Sequence, residues 1–228
     1  MSIKSMRGVA SIFMLFFTIS CNQNAEKTSA KSTETGATTT VTAKKNILFF
    51  GNSLTAGYGL DDASTSGFVG LMQQKIDAEN LPYRCINAGL SGETTAGGNS
   101  RIDWVIEQQP VAIFILELGG NDALRGLKAA DSERNLQSIL DKVKAKYPSV
   151  KIVLSGMEAP HSMGTAYTTA FHNIYPNLAK KNNIALIPFV LEGVGGIAEL
   201  NQKDGIHPTA EGNKIIGETI WKVLKPLL

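Results

Sequence analysis

Short apolar runs alternate along the chain with longer segments in which apolar residues recur every three or four positions. The short runs predict five β-strands, at residues 47–50, 83–88, 112–118, 152–155 and 184–187. Strands that are apolar on both faces are typical of a parallel sheet covered by helices on both sides. The pattern therefore predicts an α/β fold in three layers, α/β/α, over residues 46–228.

Two of the longer segments have a clear apolar face at helical spacing. The first face consists of Leu136, Ile139, Leu140 and Val143. Asp131 precedes this face and is predicted to cap the N-terminus of its helix. The face of the last helix consists of Ile215, Ile216, Thr219, Ile220, Val223 and Leu224.

The N-terminal segment has a different composition. Two basic residues precede an apolar run at residues 9–19. This run is too short to span a bilayer, which requires about 20 apolar residues. Such a run is typical of an export signal, so residues 1–21 are predicted to be a signal peptide. Cys21 at its end resembles the lipid-accepting cysteine of a bacterial lipoprotein, with secretion without lipid as the alternative. Residues 22–45 are rich in Ser, Thr, Ala and Lys and are predicted to be a flexible tether.

This organisation predicts an exported protein, periplasmic or anchored to a membrane through the lipid on Cys21. The formal net charge is only +2, and no basic stripe is interleaved with aromatic residues, so nucleic acid is not an expected partner. The other cysteine is Cys85, which has no partner in the chain if Cys21 carries lipid. Cys85 is therefore expected to pack as a small apolar side chain.

Polar motifs follow the predicted strands, and in a doubly wound parallel sheet this is where ligands bind. Ser53 lies between glycines after the first strand, and Gly92 lies in the loop after the second strand. Asn121 follows two glycines after the third strand. Near the C-terminus, Asp204 precedes His207 by three residues. Since parallel strands end at one edge of the sheet, these residues are expected to lie close together.

These residue types supply the groups that acyl transfer needs. A serine hydroxyl becomes a good nucleophile when a neutral histidine removes its proton, and a carboxylate fixes the histidine tautomer. Ser53, His207 and Asp204 are therefore the predicted catalytic triad. The oxyanion of the tetrahedral intermediate needs preorganised donors. The N–H groups of Ser53 and Gly92 and the side-chain amide of Asn121 are predicted to supply them.

The four motifs, in this order, resemble those of the SGNH (GDSL) hydrolase family. Residues 118–122 and 204–208 are most similar to its small bacterial acyl-CoA thioesterase/lysophospholipase/arylesterase branch. The resemblance implies a flavodoxin-like sheet of order 2-1-3-4-5 and metal-free hydrolysis with no cofactor. It also implies a small acyl ester or thioester substrate such as a lysophospholipid. The family usually has Asp before the serine, where this chain has Asn52.

Several other polar residues have their own interpretations. His161 is expected in a substrate loop, and His172 on the surface of a helix. Asp122 is expected to brace its loop. Glu117 lies within an apolar strand and is expected to be structural, with a substrate-facing role as the alternative. Residues 158–167 form either a loop that shapes an acyl pocket or a plain connector.

The predicted function is that of a serine hydrolase that cleaves carboxylic esters or thioesters through an acyl-enzyme. One alternative is a carbohydrate esterase that removes acetyl groups from polysaccharide. Another is a surface lipoprotein that binds glycan without catalysis. The SGNH fold hosts both the first function and the carbohydrate esterase, so the fold does not choose between these two.

Overall fold

Five parallel strands form the sheet of the computed structural model, which describes residues 43–228. The strands are β1 (Lys45–Gly51), β2 (Tyr83–Gly89), β3 (Ile113–Glu117), β4 (Lys151–Ser155) and β5 (Ala185–Ile187). Their order is β2-β1-β3-β4-β5, and every neighbouring pair is parallel. This confirms the predicted sheet and its strand order. The strands begin and end within one or two residues of the predicted limits.

Helices cover both faces of the sheet. They are α1 (Ser53–Ala56), α2 (Ala63–Ser66), α3 (Phe68–Ala78), α4 (Thr95–Glu107), α5 (Gly120–Leu124), α6 (Ala129–Lys146), α7 (Thr165–Asn182) and α8 (Ala210–Leu224). Helix α3 contacts α8, while α6 contacts both α4 and α7. Short 3-10 helices at His161–Met163, Ala198–Leu200 and Lys225–Leu227 complete the described part of the chain.

Alternate residues of β1 point to opposite helix layers, as the strand period requires. The ring of Phe49 contacts that of Phe68 in α3, with centroids 6.2 Å apart. The ring of Phe50 lies against Gly98 of α4, where any larger residue would overlap Leu118. Residues 47–50 are all 1% exposed or less, and burying a side chain of this kind stabilises the fold by roughly 1.5–3 kcal/mol. The core of the sheet thus holds the carboxyl edge, where the site lies, in a fixed position.

Helix α6 begins earlier than the sequence suggested. Its first residue is Ala129, so Lys128 occupies the N-cap position and makes no side-chain cap. Asp131 therefore lies inside the first turn, and the prediction that it caps the helix is wrong. Its carboxylate instead forms an ion pair with Arg134 at 2.6 Å, and a negative charge in the first turn is favourable to a helix.

The predicted signal peptide, the predicted lipid site Cys21 and most of the predicted tether lie outside the described residues. Strand β1 begins at Lys45, so the last residue of the predicted tether belongs to the sheet. Within residues 43–228, none of the helices has the length and apolar character that crossing a membrane requires. Cys85 in β2 is partly buried against the core, and desolvation raises the pKa of its thiol to about 12.

Candidate active site

Ser53, His207 and Asp204 form one chain of hydrogen bonds. The His207 Nε2 atom lies 2.8 Å from Ser53 Oγ, and Nδ1 lies 2.6 Å from Asp204 Oδ2. Because Nδ1 faces a carboxylate, it carries the ring proton, and Nε2 presents its lone pair to the serine hydroxyl. The structure thus brings together an alcohol, an imidazole and a carboxylate in the order that proton transfer from the alcohol requires.

The turn that presents Ser53 follows β1 directly. The side chain of Asn52 caps this turn, with Oδ1 accepting a hydrogen bond of 2.9 Å from the Leu54 N–H. Gly57 ends the turn in the left-handed region, at φ 73°. A side chain at Gly51 would overlap Thr55 Oγ1, so only glycine allows strand and turn to approach so closely. The glycines around Ser53 are the sequence signal for this turn.

The hydrogen bonds that Asp204 accepts keep it ionised. The His207 ring is the main donor, and the N–H groups of Ile206 and His207 donate to Oδ1 at 2.9 and 3.0 Å. Together they lower the pKa of Asp204 to about 2, chiefly through the hydrogen bond from the His207 side chain. Asp204 is therefore charged throughout the range in which histidines titrate, where it can stabilise an imidazolium.

One contact of His207 was not found by sequence reasoning. The ring of Tyr58 packs against that of His207, with centroids 4.6 Å apart and an interplanar angle of 45°. The Tyr58 carbonyl accepts a hydrogen bond from Gln202, which lies in the loop before His207. The only signal in the sequence is an aromatic residue between two glycines, because those glycines let the loop bend toward the histidine.

Asn121 lines the same cavity as Ser53 and His207. It lies in α5, after β3, and its Nδ2 donates to the Glu93 carbonyl at 3.1 Å. This bond fixes the amide and joins the loops after β2 and β3. Gly92, at φ 80°, lies next to Glu93 but does not line the cavity. The loop of Gly92 is therefore tied to Asn121 through its neighbour.

Two buried carboxylates stabilise the loops after β2 and β3 without lining the cavity. Asp122 accepts hydrogen bonds from Thr95 N, Thr95 Oγ1 and Ser132 Oγ at 2.9, 2.5 and 3.0 Å. This confirms its predicted role as a brace. Glu93 forms a two-pronged ion pair with Arg101, at 2.6 and 2.8 Å. The positions of the loops after β2 and β3 are therefore set by side chains that do not themselves face the cavity.

Glu117 lies beneath the turn that presents Ser53 and is 2% exposed. Its carboxylate accepts hydrogen bonds from the side chains and N–H groups of Asn52 and Thr55. Burial raises the pKa of Glu117 to about 7, while those hydrogen bonds oppose the rise. Since Glu117 does not line the cavity, its structural interpretation is confirmed and the substrate-facing alternative is wrong.

A cavity of about 520 Å³ opens beside Ser53. Most of the large side chains in its walls are apolar: Leu54, Leu124, Met157, Pro160, Phe189, Leu191 and Ile206. Residues 158–161 of the predicted acyl-pocket loop line it, including His161, whereas α7 already begins at Thr165. His172 is exposed on α7, with Nδ1 3.4 Å from a Glu158 oxygen. Among residues 43–228, no group of three or more His, Cys, Asp or Glu side chains is placed to hold a metal ion.

Comparison with known proteins decides the family. Residues 49–215, which are more than half of the chain, match the model of the GDSL-like Lipase/Acylhydrolase family. The chain belongs to this family. A GDSL-like acylhydrolase is an enzyme that hydrolyses acyl bonds, so the predicted enzyme class is confirmed.

Named relatives of this GDSL-like acylhydrolase cover most of its length. Esterase TesA of Pseudomonas aeruginosa is 39% identical over 186 residues, which are 82% of this chain and 90% of the relative. Thioesterase 1/protease 1/lysophospholipase L1 of Escherichia coli is 33% identical over 186 residues, 82% of this chain and 86% of the relative. Among solved structures, AlinE4, an SGNH-hydrolase family esterase, has a TM-score of 0.67 and 41% identity, over 81% of this chain and 97% of that chain.

Proposed function

We propose that this acylhydrolase cleaves esters and thioesters of single acyl chains, lysophospholipids included, with Ser53, His207 and Asp204 as its triad. The observation that carries the proposal is the 2.8 Å hydrogen bond between Ser53 Oγ and His207 Nε2 at the wall of an apolar cavity. The relatives named esterase, thioesterase and lysophospholipase support the same chemistry.

Acylation begins when Ser53 Oγ attacks the carbonyl carbon and gives its proton to His207 Nε2. Asp204 stabilises the imidazolium that forms, because it stays charged beside Nδ1. The imidazolium then protonates the departing alcohol or thiol, and an acyl ester remains on Ser53. A water molecule, deprotonated by His207, attacks that ester, releases the carboxylic acid and restores the serine.

The oxyanion of each tetrahedral intermediate would be bound by the N–H group of Ser53 and the amide of Asn121, which line the cavity. The proposed third donor is the N–H group of Gly92, in the adjoining loop that Glu93 ties to Asn121. An asparagine amide has two hydrogens, and the Glu93 carbonyl accepts one from Asn121. This contact holds the amide plane and leaves the second hydrogen for the oxyanion. Such preorganisation matters because a donor that is already oriented needs no rearrangement during the reaction.

The apolar walls of the cavity support the proposal that the acyl chain is the part of the substrate that supplies binding affinity. At its walls Leu124 is 50% exposed and Ile206 is 44% exposed, so an apolar chain would cover surface that water now contacts. Each methylene buried there would contribute about 0.8 kcal/mol, or roughly a fourfold gain in kcat/KM. A lysophospholipid presents one such chain next to its ester bond.

A panel of esters tests the substrate class. We expect kcat/KM to rise from p-nitrophenyl acetate to p-nitrophenyl octanoate, and we expect fatty acid release from a lysophosphatidylcholine. Turnover of acetylated polysaccharide alone would instead support the carbohydrate esterase. A fluorophosphonate probe should label the protein but not its Ser53→Ala variant, and absence of labelling in both would support the non-catalytic alternative.

The pH dependence follows from the state of His207. A general base accepts a proton only in its unprotonated form, so kcat/KM is expected to fall in acid. Asp204 does not contribute to this fall, because its pKa of about 2 keeps it ionised. The measurement is kcat/KM for p-nitrophenyl octanoate between about pH 4 and pH 9, a range that brackets histidine titration. A profile that is flat on the acidic side contradicts a role of His207 as base.

We also propose that the protein is exported and carries lipid on Cys21. Support comes from the sequence alone, in the basic residues, apolar run and Ser20–Cys21 pair of the N-terminal segment. Mass spectrometry of the mature protein tests this, since a lipid-modified Cys21 at the new N-terminus is the expected result. A mature N-terminus elsewhere, without lipid, would leave secretion as the explanation.

A further inference from the structure

The acid and the base of the triad lie on one hairpin, residues 201–208, which we call the triad hairpin. An antiparallel bridge joins its ends, and the Gln202 N–H donates to the His207 carbonyl at 2.7 Å. Asp204 lies in the turn and accepts hydrogen bonds from both the ring and the N–H group of His207. The triad hairpin therefore carries Asp204 and His207 as one unit.

Strand pairing does not fix the triad hairpin relative to Ser53. Ser53 follows β1 and the hairpin follows β5, and in the sheet these two strands are separated by β3 and β4. In the described chain between β5 and α8, the only helix is the 3-10 helix Ala198–Leu200. The 2.8 Å distance from Ser53 Oγ to His207 Nε2 therefore depends on direct contacts between the hairpin and the turn after β1.

The side chain of Gln202 makes such a contact. Its Nε2 group donates to the Tyr58 carbonyl at 2.8 Å and to the Pro208 carbonyl at 3.1 Å, which uses both amide hydrogens. The Tyr58 N–H donates in turn to the Ser53 carbonyl at 3.0 Å. Gln202 thus connects the backbone of the nucleophile turn to the hairpin that carries the base.

Four hydrogen bonds form a closed circuit through the site. Tyr58 joins Ser53 to the Gln202 side chain, and the Gln202 backbone joins His207, whose ring returns to Ser53. Within residues 43–228, the bond from Gln202 to Tyr58 is the only hydrogen bond between residues 52–59 and the triad hairpin besides the Ser53–His207 bond itself. Gln202 does not line the cavity, so its removal would open the circuit without changing the cavity wall.

Gly59 provides the space that the Gln202 side chain occupies. Its φ is 73°, and a Cβ at this position would overlap Gln202 Oε1. That atom is the end of a flexible side chain, so a larger residue at 59 would displace the amide from the Tyr58 carbonyl. Position 59 therefore offers a second way to break the same hydrogen bond.

We propose that Gln202 is a positioning residue for His207, which sets the distance between the base and Ser53 by tying the triad hairpin to the turn after β1. The proposal rests on the proposed roles of Ser53 and His207 as nucleophile and base. A misplacement of about 1 Å in a reacting group can slow a reaction about 10²-fold. The effect is expected in kcat, because the substrate does not contact Gln202.

Substitutions at positions 202 and 59 test the proposal. Gln202→Glu keeps the shape of the side chain but, when ionised, has no hydrogen to donate, and Gln202→Ala removes the side chain. Each is expected to lose about 10- to 100-fold in kcat for p-nitrophenyl octanoate with little change in KM. Gly59→Ala should lose a similar factor. The double variant G59A/Q202A should be within about threefold of the slower single variant, since both changes break one bond.

Gln137 and Gly193 provide matched controls. The Gln137 side chain joins α6 to Asn182 at the end of α7, so Gln137→Glu makes the same chemical change far along the chain from the site. Gly193 has the φ of Gly59, but the nearest atom to an added Cβ is 3.9 Å away. Gly193→Ala therefore reproduces the backbone strain without the overlap. Both controls should keep wild-type kcat, and losses as large as those at positions 202 and 59 overturn the proposal.

The proton between His207 Nδ1 and Asp204 distinguishes positioning from a loss of structure. In a short, charge-assisted hydrogen bond such a proton resonates downfield in the ¹H NMR spectrum. The signal should persist in Gln202→Ala, because both partners lie on the triad hairpin and are joined at 2.6 Å. Loss of the signal together with kcat would overturn the positioning role, since the hairpin itself would then have come apart.

Wild-type kcat in the folded Gln202 variants also overturns the proposal, as does a loss confined to KM. If Gly59→Ala does not fold, the two Gln202 variants decide the question. Fluorophosphonate labelling separates this proposal from the proposed function. Unlabelled wild type would refute Ser53 as nucleophile, whereas labelled wild type with unimpaired Gln202 variants refutes only the positioning role.

Discussion

Replacing Ser53 by Ala is expected to lower kcat for p-nitrophenyl octanoate by roughly 10⁵- to 10⁶-fold, and His207→Ala by a similar factor. The double variant should be no slower than either single variant. The reason is that the Ser53 hydroxyl and the His207 ring act as one proton-transfer unit, joined by a hydrogen bond of 2.8 Å. Once either group is absent the other has nothing to activate, so the losses do not multiply.

Steady-state rates corrected for spontaneous hydrolysis provide the measurement. His172→Ala is the control, because this histidine is exposed on α7 and surface substitutions of this kind are usually close to neutral. Losses that multiply in the double variant would mean that the two residues act independently. A His207→Ala variant with a tenth or so of wild-type kcat would remove His207 from the chemistry, because loss of a triad base costs orders of magnitude more.

Asn121→Ala is expected to lower kcat by about 10²–10³-fold while KM changes little. The amide would donate to a negative charge that exists only in the tetrahedral intermediate, so its removal slows the reaction without weakening substrate binding. The cavity wall keeps its shape, since Asn121 is only one of the residues that line it. The variant also loses the hydrogen bond to the Glu93 carbonyl, which contributes about 1 kcal/mol to stability.

Asn135→Ala is the matched control for that loss of stability. The Asn135 amide donates to Thr95 Oγ1 at 3.2 Å and does not line the cavity. The Asn135→Ala variant should therefore lower the melting temperature by a similar amount without the loss in kcat. A rise in KM at unchanged kcat for Asn121→Ala would place this amide in substrate binding and outside the oxyanion site.

The alternation of apolar runs and amphipathic segments was enough to predict the sheet, because buried parallel strands must be apolar on both faces. The sequence did not predict the start of α6 correctly, because a tertiary contact determines where this helix begins. Asp is a good cap by itself, but the Ser132 hydroxyl donates to the buried Asp122 carboxylate. This contact fixes the first turn from outside the helix, so the helix includes Asp131 and begins at Ala129.

The partners of Glu117 were likewise not predictable from local sequence. A carboxylate in an apolar strand indicates a need for donors, and the sequence contains that signal. Its partners, however, are Asn52 and Thr55, which lie 65 and 62 residues away in the chain. They meet Glu117 because β1 and β3 are neighbours, with Gly51 paired to Glu117 in the register.

By itself the sequence determined which chemical groups the protein carries and the edge of the sheet at which they lie. Each group follows a strand or the last loop, and the ends of parallel strands share one edge. Only the tertiary structure decided the partners: Tyr58 against His207, Asn121 with Glu93, and Glu117 beneath the turn of Ser53. Those contacts depend on strand register and on the exact course of the loops, which no local pattern of residues encodes.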